Sequence, residues 1–102
     1  MKYDSLIFKD KKIKNQSKID DILSQNNLHW LIDAEFESAV IEIKNDTLIW
    51  HSGTWYFGYW HFGIWKDGIW KDGTFENGIF EKGSFEGGTF KSGIDVNGNI
   101  NK

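Results

Sequence analysis

The stretch GTWYFGYWHFGIWKDGIWKDG, residues 53–73, decides the fold. Glycine returns at every fifth position, and an aromatic residue stands two places after each glycine. The rhythm continues through glycines 78, 83, 88, 93 and 98, with Trp50, Trp55, Trp60, Trp65, Trp70, Phe75, Phe80, Phe85 and Phe90 in the aromatic slot. Two positions per unit are left over. They hold Lys66-Asp67, Lys71-Asp72, Glu76-Asn77 and Glu81-Lys82, but Tyr56-Phe57 and His61-Phe62 in the units before them. The slot that is charged elsewhere turns apolar only there, and that break is the one functional signal in the repeat.

A period of five fits neither an amphipathic helix, at about 3.6 residues per turn, nor a plain strand, at two. Glycine at this density would also destabilise any helix. A solenoid resolves the conflict. Glycine and the aromatic, two apart in a short extended piece, point the same way, and the two leftover residues turn the corner. Small beside large inside a crowded coil is volume complementation. The β-branched residues between them, Thr54, Ile64, Ile69, Thr74, Ile79 and Thr89, suit extended backbone and are expected to face outward.

Gly73-Thr74-Phe75, Gly78-Ile79-Phe80 and Gly88-Thr89-Phe90 give residues 48–98 a resemblance to the pentapeptide-repeat family. That resemblance implies a right-handed β-solenoid with four sides, one pentapeptide to each. It departs from the family in using glycine for the small slot and tryptophan at the centre of five consecutive units, which implies a wider or distorted coil. Four units per coil would stack residue n on n+20. Trp50, Trp70 and Phe90 would form one column, with Trp55 on Phe75, Trp60 on Phe80 and Trp65 on Phe85. The alternative is an open antiparallel β-meander with one aromatic face.

The expected fold class is therefore mainly β, a solenoid over residues 48–98 preceded by a small α+β capping segment, residues 1–47, and followed by a tail, 99–102. A solenoid of so few coils needs a cap. In the capping segment SLIFKDKKIK reads as a strand pair. Ser17 is a fair helix N-cap, with Ile19, Ile22 and Leu23 as one apolar stripe and Asn26-Asn27 as its end. Residues 28–44 read as strand, with Ala39, Ile41 and Ile43 on one face. Asn45-Asp46 turns the chain into Leu48-Ile49-Trp50, where Leu48 occupies the later glycine slot. Asp95 takes the aromatic slot at the far end, where a carboxylate ends the stack and blunts a sheet edge.

Composition restricts the chemistry. The 102 residues contain no cysteine, so disulfides and thiolate metal sites are excluded. The formal net charge of −3 gives no general affinity for polyanions. No apolar run is long enough for a membrane span or secretory leader, which points to a cytoplasmic protein with no membrane partner. His51 and His61 share a slot on different sides of a coil, too far apart to share a metal, and the periodic glycines are structural and form no phosphate loop. Lys66-Asp67 and Lys71-Asp72 read as surface ion pairs. No metal, no cofactor and no catalytic constellation is expected, and the chain reads as non-enzymatic.

Tyr56, Phe57, Tyr59, His61 and Phe62 are expected on the outside of the first coil, more apolar surface than scattered exposed residues provide. One occupant for them is the chain's own cap, through Leu23 or Trp30. Another is a macromolecular partner or a second copy of the chain. The resemblance implies a small inhibitor, of the kind a phage or mobile element uses against a host nucleic-acid-processing or defence complex such as a CRISPR-type one. The alternatives are a structural or adhesive module of a phage or bacterial particle, and direct binding of RNA or glycan through the aromatics together with Lys9, Lys11, Lys12, Lys14 and Lys18.

Overall fold

Two hairpins with two-residue turns build the N-terminal sheet. β1 (Tyr3–Phe8) pairs antiparallel with β2 (Lys11–Ile13), and the intervening Lys9 and Asp10 take φ of 51° and 64°. Asn45 and Asp46, at 52° and 60°, join β3 (Glu35–Lys44) to β4 (Thr47–Phe57) in the same way. Left-handed backbone at both central residues matches the twist of the flanking strands. The structure is a computed structural model that describes residues 1–98 and 100, so the expected tail at 99–102 lies, Ile100 apart, outside the described residues.

The helix α1 (Gln16–Gln25) starts earlier than the sequence suggested. Asn15, extended at φ −66° and ψ 119°, is the N-cap and accepts from the Lys18 backbone N–H at 3.0 Å, while the Ser17 hydroxyl donates to Asn15. Asn and Ser are comparable caps, and the one whose backbone is already extended takes the role. Ile19, Ile22 and Leu23 are buried as the stripe required. The strand expected from residue 28 begins only at Glu35. Before it, Leu28 and Leu31, three apart and both buried, close a single helical turn, α2 (His29–Asp33).

From Ile49 to Asp95 the repeat forms a β-solenoid with three sides, and the four-sided stacking is overturned. Residue n lies on n+15. Ile49-Trp50 pairs in parallel with β6 (Ile64–Trp65), which pairs with β9 (Ile79–Phe80), which pairs with β12 (Ile94–Asp95). Thr54-Trp55, also in β4, pairs with β7 (Ile69–Trp70) and that with β10 (Ser84–Phe85). The third side is β5 (Tyr59–Trp60), β8 (Thr74–Phe75) and β11 (Thr89–Phe90). The parallel pairing also excludes the antiparallel meander. Strands of two residues are held by a repeated backbone bond pair, for example Thr74 N–H to the Gly58 carbonyl at 2.9 Å and Glu76 N–H to the Trp60 carbonyl at 2.8 Å.

Ring geometry explains why three sides suffice. In the first coil Trp50, Trp55 and Trp60 meet edge to face in a closed triangle, with centroids 5.8, 5.8 and 6.3 Å apart. Three indoles fill the coil, and a fourth side would have to open it. Down each column the rings are parallel within 11°, 4.7 Å apart for Trp50–Trp65 and 5.6 Å for Trp65–Phe80. Edge-to-face and offset-stacked pairs are the two favoured aromatic arrangements. All five of these tryptophans, with Phe75 and Phe80, are fully buried.

The glycine slot is only partly what volume complementation predicted. A Cβ on Gly63 would sit 3.3 Å from the Trp60 ring, so a large neighbour does demand a small residue. The tighter constraint is backbone. Glycines 53 to 93 of the repeat make the corners at φ between +93° and +135°, and each from Gly68 to Gly93 packs on the backbone of the glycine fifteen residues earlier. The adjoining Lys-Asp pairs are likewise not ion pairs with each other. Asp67 and Asp72 accept from the backbone N–H of Gly68 and Gly73, both at 2.8 Å, and the lysines reach to the next coil, Lys66 to Glu81 at 3.5 Å and Lys71 to Glu86 at 3.1 Å.

The cap covers the first coil in two pieces. β3 runs antiparallel along β4 and seals two sides, from Lys44↔Thr47 to Glu35↔Phe57, with β1 parallel outside it and β2 at the edge. The third side has no strand above it. There α2 lies against β5, Ala34 abuts Gly58, and Trp30 packs edge-on against Trp60 at 5.3 Å.

Candidate functional site

The corners and the third side of the first coil carry the aromatic residues singled out in the repeat. β4 runs on past Trp55 to bring Tyr56 and Phe57 to the second corner. Tyr59 is the outward residue of β5, and His61 and Phe62 form the third corner. Tyr56, Phe57, Tyr59 and Phe62 are 43, 57, 49 and 48% exposed, and they account for half of the exposed large hydrophobic side chains among the described residues.

The cap reaches only part of this surface. Trp30 makes a ring contact with His61 at 5.6 Å and with Phe62 at 5.9 Å, and His61 in turn lies 5.6 Å from Tyr59. Tyr59, His61, Trp30 and Phe62 are thus one continuous ridge. Trp30, half-buried, belongs to it, a residue the sequence presented only as a cover. Tyr56 and Phe57 make no ring contact among the described residues and stand on the next corner. Tyr56 donates to Glu37 at 3.0 Å, and that bond, with the Glu37 charge, raises the phenol above its ordinary pKa.

Carboxylates surround the Tyr56–Phe57 corner. Glu35 is the register partner of Phe57 and Glu37 holds Tyr56, both across the β3–β4 ladder. Asp33 ends α2 one residue before Ala34, which touches Gly58. Asp72 occupies the Phe57 slot one coil down. All four are exposed. Two lysines lie close, and both are engaged. Lys71 pairs with Glu86 at 3.1 Å. Lys2 donates to the Ile32 carbonyl and sits 4.9 Å over the Phe36 ring, where burial lowers its pKa.

The other sequence candidates fall elsewhere. Lys9, Lys11, Lys12, Lys14 and Lys18 are exposed on the β1–β2 hairpin, the linker after it and the first turn of α1. β2 is the sheet edge, three strands removed from β4. The structure therefore does not bring the lysines to the aromatics, and lysine on an edge strand is a common guard against edge-to-edge pairing. His51 bonds Glu42 at 2.8 Å and His61 lies 3.4 Å from Glu76, each histidine with its own carboxylate. Among the described residues no three His, Cys, Asp or Glu side chains are grouped as a metal would need, and no helix is long and apolar enough to cross a membrane.

Compared with models of protein families, with curated proteins and with solved structures, the chain matches none.

Proposed function

We propose that the chain is a non-enzymatic protein-binding module whose contact surface is the first-coil aromatic surface of Tyr56, Phe57, Tyr59, His61 and Phe62. The observation that carries this reading is the exposure of four large aromatic side chains, 43 to 57% each, within seven consecutive residues of the first coil. Aromatics on a preordered backbone bind at low entropic cost, and they are enriched in the centres of protein interfaces. Within this reading, the resemblance of the repeat to pentapeptide proteins favours an inhibitor from a phage or mobile element, docking on a host nucleic-acid-processing or defence complex. That narrower assignment is analogy to the repeat sequence alone, since the coil has three sides where the resemblance implied four.

The test is site-resolved photo-crosslinking of the whole protein in extracts of its native host. A photoreactive phenylalanine analogue replaces Tyr59 in one variant and Ser92, two coils away on the same side of the repeat, in another. A discrete protein adduct at Tyr59, lost when Phe57 and Phe62 are both changed to alanine in a still-folded protein, supports the reading. Adducts of equal yield at the two positions, or adducts only at Ser92, refute it.

A further inference from the structure

We propose that the aromatic corner at Tyr56 and Phe57 recognises a basic protein segment, one that alternates arginine or lysine with apolar side chains. The inference rests on the protein-binding reading above and specifies its partner. The corner joins two features that point to the same occupant. Two exposed ring systems offer faces for apolar contact and for cation–π contact, the latter more often made by arginine than by lysine. Around them stand Asp33, Glu35, Glu37 and Asp72, all exposed.

The local charge is offset only in part, because Lys2 attracts Asp33 and Glu35 but both nearby lysines have other partners. Lys71 is drawn to Glu86 and Lys2 is turned inward onto the Ile32 carbonyl and Phe36. A phosphate backbone approaching the corner would meet carboxylates on several sides, while Lys2 and Lys71 are already held by partners of their own, and an acidic peptide would fare no better. A guanidinium between Glu35 and Glu37 would pair with carboxylates already fixed on β3, one of them ordered by its bond from Tyr56. Charge-assisted pairs to preordered carboxylates are the stronger kind of hydrogen bond. An apolar neighbour in the same segment would then cover Phe57, whose exposure of 57% is among the largest of the aromatics.

The test uses the full-length protein, isotopically labelled, with three probes of similar length followed by amide shifts: a peptide alternating arginine and leucine, its counterpart alternating glutamate and leucine, and an oligothymidylate. The arginine peptide is expected to perturb residues 33–37, 54–59 and 71–73 selectively. Its binding should weaken by about tenfold or more in Glu35→Lys/Glu37→Lys. It should weaken less in Glu35→Gln/Glu37→Gln, which keeps an acceptor for Tyr56, and stay unchanged in Asp4→Lys/Asp21→Lys, which alters acids elsewhere. Shifts spread over all acidic surface, no shifts at all, or equal loss in the distant variant overturn the inference. Equal binding of the glutamate peptide at the same corner overturns the basic partner but leaves the protein-binding reading standing. Binding of the oligothymidylate there, with neither peptide, overturns both.

Discussion

Gly73→Ala is the substitution that tests the three-sided coil most directly. Gly73 makes a corner at φ +109°, a conformation in which a side chain is strained by about 1–3 kcal/mol. An added Cβ would lie 2.8 Å from the Gly58 nitrogen and closer still to the Gly58 carbonyl oxygen, both backbone atoms with nowhere to move. Relief requires the two coils to part at that corner. This weakens the Thr74 N–H to Gly58 C=O bond of 2.9 Å, whose net contribution is about 1 kcal/mol. Together these give about 3 kcal/mol of destabilisation, more if the rings below lose contact. Gly98→Ala is the control, since Gly98 has φ +64° and a Cβ there meets nothing within 4 Å. It should cost about 1 kcal/mol, the left-handed penalty alone. Urea unfolding followed by tryptophan fluorescence measures both. Equal losses at the two glycines, or a loss below 1 kcal/mol at Gly73 by the same estimate, would refute glycine-on-glycine stacking as the reason for the repeat.

Phe80→Ala, removing a fully buried ring under Trp65, should cost about 3–5 kcal/mol, and Ile79→Ser on the outer face well under half of that. Equal losses on chemical denaturation would mean that the inward face is wrongly assigned. Lys71→Ala and Glu86→Ala, combined in a double-mutant cycle, should show a coupling of only about 0.3–0.5 kcal/mol that fades in high salt, because both groups are exposed. Stability should fall as pH rises past about 10, where an ordinary tyrosine ionises. Burial first, and then the hydrogen bond to Asp20 at 2.5 Å, hold Tyr3 neutral well above that value, so the unfolded chain releases a proton that the folded chain keeps. Lys2, lowered by burial, acts in the opposite sense, so the difference between wild type and Tyr3→Phe isolates the tyrosine. The variant should show a shallower alkaline decline, and an unchanged decline would remove Tyr3 as its cause.

The solenoid was legible because five-residue spacing admits little else, but the number of sides was written in the charges and not in the aromatics. Stacked by twenty, Lys71 would lie on Lys91. Stacked by fifteen, Lys66 meets Glu81, Lys71 meets Glu86 and Glu76 meets Lys91, so every charged column alternates in sign. Two of these pairs are formed, and His61 with Glu76 extends the pattern. Aromatic identity cannot make this choice, since Trp or Phe fills every column in either register. The short helix α2 was hidden for a different reason. Its five residues are too few for a periodic signal, and tertiary packing of Leu31 and Trp30 against the core and β5 decides it. The acidic surround of the candidate surface was also invisible, because Glu35, Glu37 and Asp72 come together only through the β3–β4 register and the fifteen-residue stack.

The same ladder explains why the polar slot turns apolar in the first coil alone. In the second coil each residue of the slot has neighbours above and below, so a column of charge is held only by alternation. Positions 56, 57, 61 and 62 have a coil beneath them and the cap above, which offers Glu37 to Tyr56 and the Trp30 ring to His61 and Phe62 in place of a further coil. At His61 the two demands meet in one side chain, with Glu76 3.4 Å below and Trp30 5.6 Å away in the cap. Tyr56 keeps a polar end for Glu37 while leaving 43% of its surface in solvent. Phe57 and Phe62 have no such polar tie. Sealing the seam alone does not account for them, because rings chosen only to close it would be expected to end buried, as Trp60 does at 0% exposure beneath Trp30. On the cap side the charge ladder ends in the first coil, and there positions 56, 57 and 62 hold exposed rings on a backbone tied to the coil beneath, the arrangement an interface would use.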